Sequence, residues 1–333
     1  MTKVETSAPF FDHNATAAKL LFLMILAVAF CSSVILGFLT PVPLVIAALL
    51  YGRLAMLGLS VLMIVGFAAL SVTAGFPWFF AGAFFVAFLF AFLVSEIIYR
   101  NINPVKGLIY SGLIVVVLSG LSILAFEKNS AKSLRDVMSE PVTKMVAELK
   151  REKAKQNLAA EDEKSTDMVI ANLENFSKNF YSSLPSSVFI VSYFGLWISL
   201  CASLRNTIVW RYKVHYSYAL KDLIQFKVPD FFVFPLILSL VLYLGVDYGL
   251  PPISAVIGEN LLYCLGVLYL FQGFGVYSDF LKYLRIGGWV KLMFVSFTLF
   301  LAPMFLAILG MFDLWFDFRR FFTNSKKDEG DTI

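Results

Sequence analysis

The chain is 333 residues long, 59% hydrophobic and only 15% charged, with a mean hydropathy of +0.79. That balance excludes a water-soluble globular domain and indicates a polytopic membrane protein. The net charge of +4 is spread among short loops, where it sets topology rather than binding nucleic acid, so the expected surroundings are a lipid bilayer and no nucleic-acid partner.

Backbone facing lipid must satisfy its own hydrogen bonds, so the expected class is all-α, with about eight or nine transmembrane helices and one charged helical insertion. The first apolar run, Ala17 to Phe38, is too long for a cleaved signal peptide and reads as a retained span. Pro41 and Pro43 follow it, and residues 41–51 form a short apolar piece ending at Gly52 and Arg53. At that length the piece is either a truncated crossing or a re-entrant segment, because a crossing takes about 20 apolar residues. A full span from Leu54 to Val72 comes next, then a turn at Gly75, Phe76 and Pro77.

The span from Trp78 to Tyr99 carries Ala83, Ala87, Ala91 and Ser95 every fourth residue. Small residues at that spacing make a smooth ridge along which a second helix can approach closely, either within the protein or on another membrane subunit. Glu96 and Arg100, four residues apart, are placed to pair. After the span Gly107 to Phe126 the composition changes: from Glu127 to Pro185 there are ten Lys or Arg and ten Asp or Glu. Within this insertion Val169, Leu173, Phe176, Phe180 and Leu184 follow helical spacing behind a cap at Ser165 or Thr166, and a second helix is expected around Val137 and Met145, broken at Pro141.

A span from Ser187 to Leu204 leads into a basic and aromatic stretch with Trp210, Arg211, Tyr212, Lys213, His215 and Tyr216. Aromatic rings and cationic stems both suit the headgroup layer, so this segment reads as interfacial. Phe231 to Leu244 crosses back. The long run Ile253 to Leu281 then carries Glu259, Asn260, Tyr263 and Gln272, and Trp289 to Phe312 is read as one last span, bent at Pro303. Organisation is expected as membrane helices over 1–126, the insertion over 127–185, membrane helices over 186–318 and a polar tail over 319–333.

If the Arg205 to Lys227 loop faces the cytoplasm, alternation puts Arg53, Arg100 to Lys106 and Lys282 to Lys291 beside it, as the excess of positive charge in cytoplasmic loops demands. Nine crossings would then leave Arg319 and Arg320 on the wrong side, so either the count is off by one or the last helix is re-entrant.

Chemistry is sparse. There is no HExxH pair, no clustered Cys or His, no glycine-rich phosphate cradle and no nucleophile elbow, and only two histidines; no catalytic residue, metal or cofactor is expected, and the chain does not read as an enzyme. Cys31, Cys201 and Cys264 are isolated in apolar runs and read as small buried hydrophobes. Polar side chains in a membrane span are costly and function is the default reading for them. Glu259, Asn260, Tyr263 and Gln272 are therefore the candidate substrate-binding residues: Glu259 would take a cation or a substrate amine, with Asn260 and Gln272 as neutral partners. The alternative is that Glu259 sits at the outer interface, solvated or capping the helix.

The chain resembles the YybS-like family of bacterial integral membrane proteins (domain of unknown function 2232) in Val228-Pro229-Asp230, Glu259-Asn260-Leu261-Leu262, Leu270-Phe271-Gln272-Gly273-Phe274 and the ending Leu309-Gly310-Met311-Phe312-Asp313-Leu314-Trp315-Phe316-Asp317-Phe318-Arg319. Its N-terminal third is similar to the substrate-binding component of energy-coupling factor vitamin transporters in Thr40-Pro41-Val42-Pro43-Leu44 and Tyr51-Gly52-Arg53. That likeness implies six helices of vitamin-binding type ending near Leu204. The expected function is thus a multi-pass bacterial inner (cytoplasmic) membrane protein that binds or transports a small molecule. The alternative is a non-transporting scaffold that recruits envelope or division partners through the insertion and the Ala83 to Ala91 ridge.

Overall fold

The computed structural model describes residues 16–33, 36–130, 133–155, 168–173 and 181–322. In chain order the helices are α1 (Thr16–Cys31), α2 (Pro41–Tyr51), α3 (Arg53–Thr73), α4 (Trp78–Tyr99), α5 (Pro104–Asn129), α6 (Leu134–Lys155), α7 (Leu184–Arg205), α8 (Thr207–Trp210), α9 (Leu220–Ile224), α10 (Val233–Leu244), α11 (Pro252–Tyr283), α12 (Gly288–Leu301) and α13 (Pro303–Phe316). No strand forms among the described residues, so the all-α expectation holds.

The count of eight or nine crossings is too high: six described helices are long and apolar enough to cross a membrane, or seven if the bent pair α12–α13 is one span. Local hydrogen bonding explains the first shortfall. Ser32 Oγ donates to the Val28 carbonyl at 2.9 Å and Ser33 Oγ accepts from the Leu36 amide at 3.3 Å, so two hydroxyls compete with the helical ladder and α1 stops at Cys31 instead of Phe38. Proline explains the last. Pro303 starts a new helix at its first position, where its missing N–H costs nothing, and α12 and α13 meet at 99°. The expected helix break at Pro141 does not occur; α6 runs through it from Leu134 to Lys155. Phe176 and Phe180 of the other insertion helix, with its expected caps Ser165 and Thr166, lie outside the described residues.

Contacts divide the chain into two compact units: Met1–Gly112 with Tyr193–Phe226, and Leu113–Ser192 with Lys227–Ile333. In the first unit α2 is the centre. Leu44, Val45, Ala47 and Ala48 are fully buried, and α1, α3 and α4 pack against it. The piece 41–51 is therefore a short internal helix, roughly 16 Å long at 1.5 Å per residue and unable to cross a bilayer alone. It ends at Gly52, whose φ of +94° is a conformation that only glycine adopts without strain.

In the second unit α11 is the axis. Its 32 residues pack against α10, α12 and above all α13. The α11–α13 crossing is a backbone contact: a Cβ on Gly273 would fall on the Leu306 carbonyl and the Gly310 amide, and one on Gly310 would fall on the Tyr269 carbonyl. Small residues are what allow such proximity. Beyond the crossing, the Phe322 ring rests on Phe280 and on Tyr283, each at 5.7 Å between centroids. The chain thus leaves the C-terminal end of α11, runs out along α12, turns at Ala302 and comes back to the same end. Each half-helix has 14 residues, about 21 Å at 1.5 Å per residue, short of the roughly 30 Å hydrocarbon layer. The last apolar run is two short helices rather than one straight span, and the segment after it returns Phe322 to the end of α11 near Lys282.

Candidate functional site

The four candidate binding residues of the long run are divided between three settings. Glu259 and Tyr263 lie one turn apart near the start of α11, with Tyr263 47% exposed. Asn260 reaches across to the start of α7: its Oδ1 accepts from the Ser186 amide at 3.0 Å, and its Nδ2 donates to the carbonyls of Ser182 and Val256, both at 2.8 Å. The first amides of a helix have no intrahelical partner. Asn260 supplies one from another helix, so its amide holds α7 and α11 together. Gln272 lies thirteen residues beyond Glu259, about 20 Å along the axis, and the two do not form one site.

Gln272 belongs to a different cluster, which the sequence reading missed. Its side chain is fully buried. Oε1 accepts from the Val228 amide at 2.9 Å, and Nε2 donates to Asp313 Oδ2 at 2.9 Å. Arg319 Nη2 donates to the Gln272 backbone carbonyl at 2.8 Å, and Arg319 Nε stands 3.8 Å from Asp313 Oδ2. Asp313 itself is 2% exposed. Its second oxygen, Oδ1, has no hydrogen-bond partner among the described residues, and neither does the buried Tyr269 hydroxyl one turn before Gln272. A carboxylate, an amide and a guanidinium are gathered where the α11 and α13 backbones touch. The signal in the sequence was a lone Asp between Met311-Phe312 and Leu314-Trp315-Phe316, a charge inside an apolar run.

The small-residue ridge on α4 is internal. Ala87, Ala91 and Ser95 are buried within the first unit, with Ala83 partly covered, so this face packs the chain itself and is not open to a partner subunit. At the end of that ridge Glu96 is clamped between two cations, with Arg53 Nε 2.8 Å from Oε1 and Arg100 Nε 2.7 Å from Oε2. Arg53 also stacks on the Tyr99 ring at 4.5 Å.

The basic and aromatic stretch after α7 also departs from expectation, because Trp210 and Tyr216 are buried in the protein and not in the headgroup layer. Trp210 Nε1 donates to the Ser203 carbonyl at 3.0 Å, and the Tyr216 hydroxyl donates to the Ile102 carbonyl at 2.9 Å. Burial pushes the Tyr216 phenol up, with the nearby Tyr218 and Asp222 adding to the shift, so it stays a neutral donor. Lys213 donates to the Leu50 carbonyl at 2.6 Å, placing a cation at the C-terminal, negative end of α2. The Asn101 and Ser217 side chains bond at 3.0 Å while the Ser217 amide donates to Asn101 Oδ1 at 2.9 Å. The Arg53, Arg100 and Arg211 loops therefore meet at one end of the first unit, as charge alternation required.

Among the described residues no group of three or more His, Cys, Asp or Glu could hold a metal ion. Cys31, Cys201 and Cys264 form no disulfide.

A family model described as "Predicted membrane protein (DUF2232)" matches residues 17–314. No curated protein matches, and no solved structure does.

Proposed function

We propose that this chain, which belongs to the DUF2232 family of predicted membrane proteins, is a small-molecule binding or transport component of its membrane, with its polar centre at Asp313, Gln272 and Arg319. One observation carries this reading: the buried Asp313 carboxylate, in the last turn of α13, the second half of a helix interrupted at Ala302, keeps an oxygen without a hydrogen-bond partner among the described residues. A buried acceptor left unmade costs about 1–3 kcal/mol, a penalty a purely structural carboxylate would be selected to avoid. Interrupted helices at membrane depth are tolerated where they are buried or line a cavity, and transporters build their sites on them. The likeness of Thr40 to Leu44 and Tyr51 to Arg53 to energy-coupling factor substrate-binding components supports the same class. The earlier candidate carboxylate, Glu259, is less favoured because it is only half-buried, one turn from the exposed Tyr263 near the start of α11.

Native mass spectrometry of the gently released protein is the test. A bound small molecule is expected on the wild type and is expected to fall at least tenfold in occupancy in Asp313→Asn, with Glu259→Gln close to wild type. A wild type with no small-molecule adduct, or an adduct equally retained by a folded Asp313→Asn, would rule the reading out.

A further inference from the structure

We propose that the ledge formed by Arg205 to Lys213 at one end of the first unit is a docking surface for anionic phospholipid headgroups. On this ledge α8 turns Ile208 outward at 93% exposure, with Val209 at 37% and Tyr212 at 51% beside it. Arg205, Arg211 and Lys213 flank these apolar groups along the chain and are themselves exposed. The ledge is not a loose loop: fully buried Trp210 is bonded to the Ser203 carbonyl, and the Arg211 guanidinium donates to the Tyr216 carbonyl at 3.3 Å. It begins where α7, a helix long and apolar enough to cross a membrane, ends.

Charge decides what covers it. The loops that meet at this end, from Arg53, from Arg100 to Lys106 and from Arg205 to Asp222, hold seven Lys or Arg side chains against the carboxylates of Glu96 and Asp222. Glu96 is already clamped by Arg53 and Arg100. An exposed apolar tip flanked by cations at the end of a helix long and apolar enough to cross a membrane matches a negatively charged lipid, and each cation near such a surface strengthens attraction roughly fivefold. A zwitterionic headgroup gains no such net attraction.

The probe is an equimolar mixture of phosphatidylglycerol and phosphatidylcholine, with the full-length protein released from mixed micelles and its retained lipids counted by native mass spectrometry. Wild-type protein is expected to retain phosphatidylglycerol at least fivefold over phosphatidylcholine. Arg205→Gln with Arg211→Gln should bring that ratio close to one, and Lys144→Gln on the exposed face of α6 should leave it unchanged. Equal retention of the two lipids by the wild type would overturn the proposal, without needing any variant to fold. An unchanged ratio in the double variant would overturn it too, and so would a lipid-free dimer, which would give the ledge to a second copy of the chain.

Discussion

Gly273→Ala is expected to lower thermal stability in detergent sharply, while Gly266→Ala, two turns earlier on the same helix, leaves it unchanged or slightly raised. The two substitutions have the same intrinsic effect, since alanine is favoured over glycine in a helix by about 1 kcal/mol. They differ in what the new methyl meets. At Gly266 there is nothing within 4 Å, whereas at Gly273 the nearest atoms are the Leu306 carbonyl and the Gly310 amide nitrogen, both backbone. Overpacking costs about 1–3 kcal/mol when side chains can yield, and a helix backbone yields less, so the loss belongs at the top of that range. Gly310→Ala should behave the same way, because its methyl would strike the Tyr269 carbonyl. Equal melting of Gly273→Ala and Gly266→Ala would show that α11 and α13 do not touch there.

Gln272→Leu should be comparably damaging for an electrostatic reason. The substitution strands the Val228 amide and removes the amide donor to Asp313 Oδ2, two buried groups each costing about 1–3 kcal/mol when unmade. Asp313→Leu alone removes the acceptor of the buried Gln272 amide and the anion 3.8 Å from Arg319, and the unmade buried donor costs about 1–3 kcal/mol. Combining the two should cost clearly less than the sum, since the double variant no longer pairs a polar group with an apolar one at the Gln272–Asp313 contact. Strict additivity in chemical unfolding would mean that Gln272 and Asp313 do not interact.

The parts of this architecture that depend on neighbours in sequence were legible from it. Pro41, Gly52, Gly75 to Pro77 and Pro104 mark helix boundaries because their backbone preferences act locally, and the charges at Arg53, Arg100 and Lys213 gave the correct common end. The candidate site was not legible to the same degree. Asp313 reads as the first residue past the last span unless the chain is known to turn by 99° at Ala302, and no local pattern fixes that angle. Trp210 and Tyr216 read as headgroup anchors because nothing near them in sequence announces the Ser203 and Ile102 carbonyls that receive their hydrogens. Asn260 looked like a ligand group for the same reason: its partners, Ser182 and Ser186, lie more than seventy positions earlier.

The polar centre exists only because the last apolar run doubles back along α11, bringing Asp313 and Arg319 to Gln272. Cysteine accessibility tests that path directly. In a background of Cys31→Ser, Cys201→Ser and Cys264→Ser, single Gly287→Cys, Arg320→Cys and Tyr248→Cys variants in sealed membrane vesicles of known orientation would be exposed to a membrane-impermeant maleimide. Tyr248, 90% exposed, marks the far end of α10 and α11, and Gly287 the end where α12 begins. The re-entrant path predicts that Arg320→Cys labels from the same side as Gly287→Cys and opposite to Tyr248→Cys; labelling of Arg320→Cys together with Tyr248→Cys would contradict it.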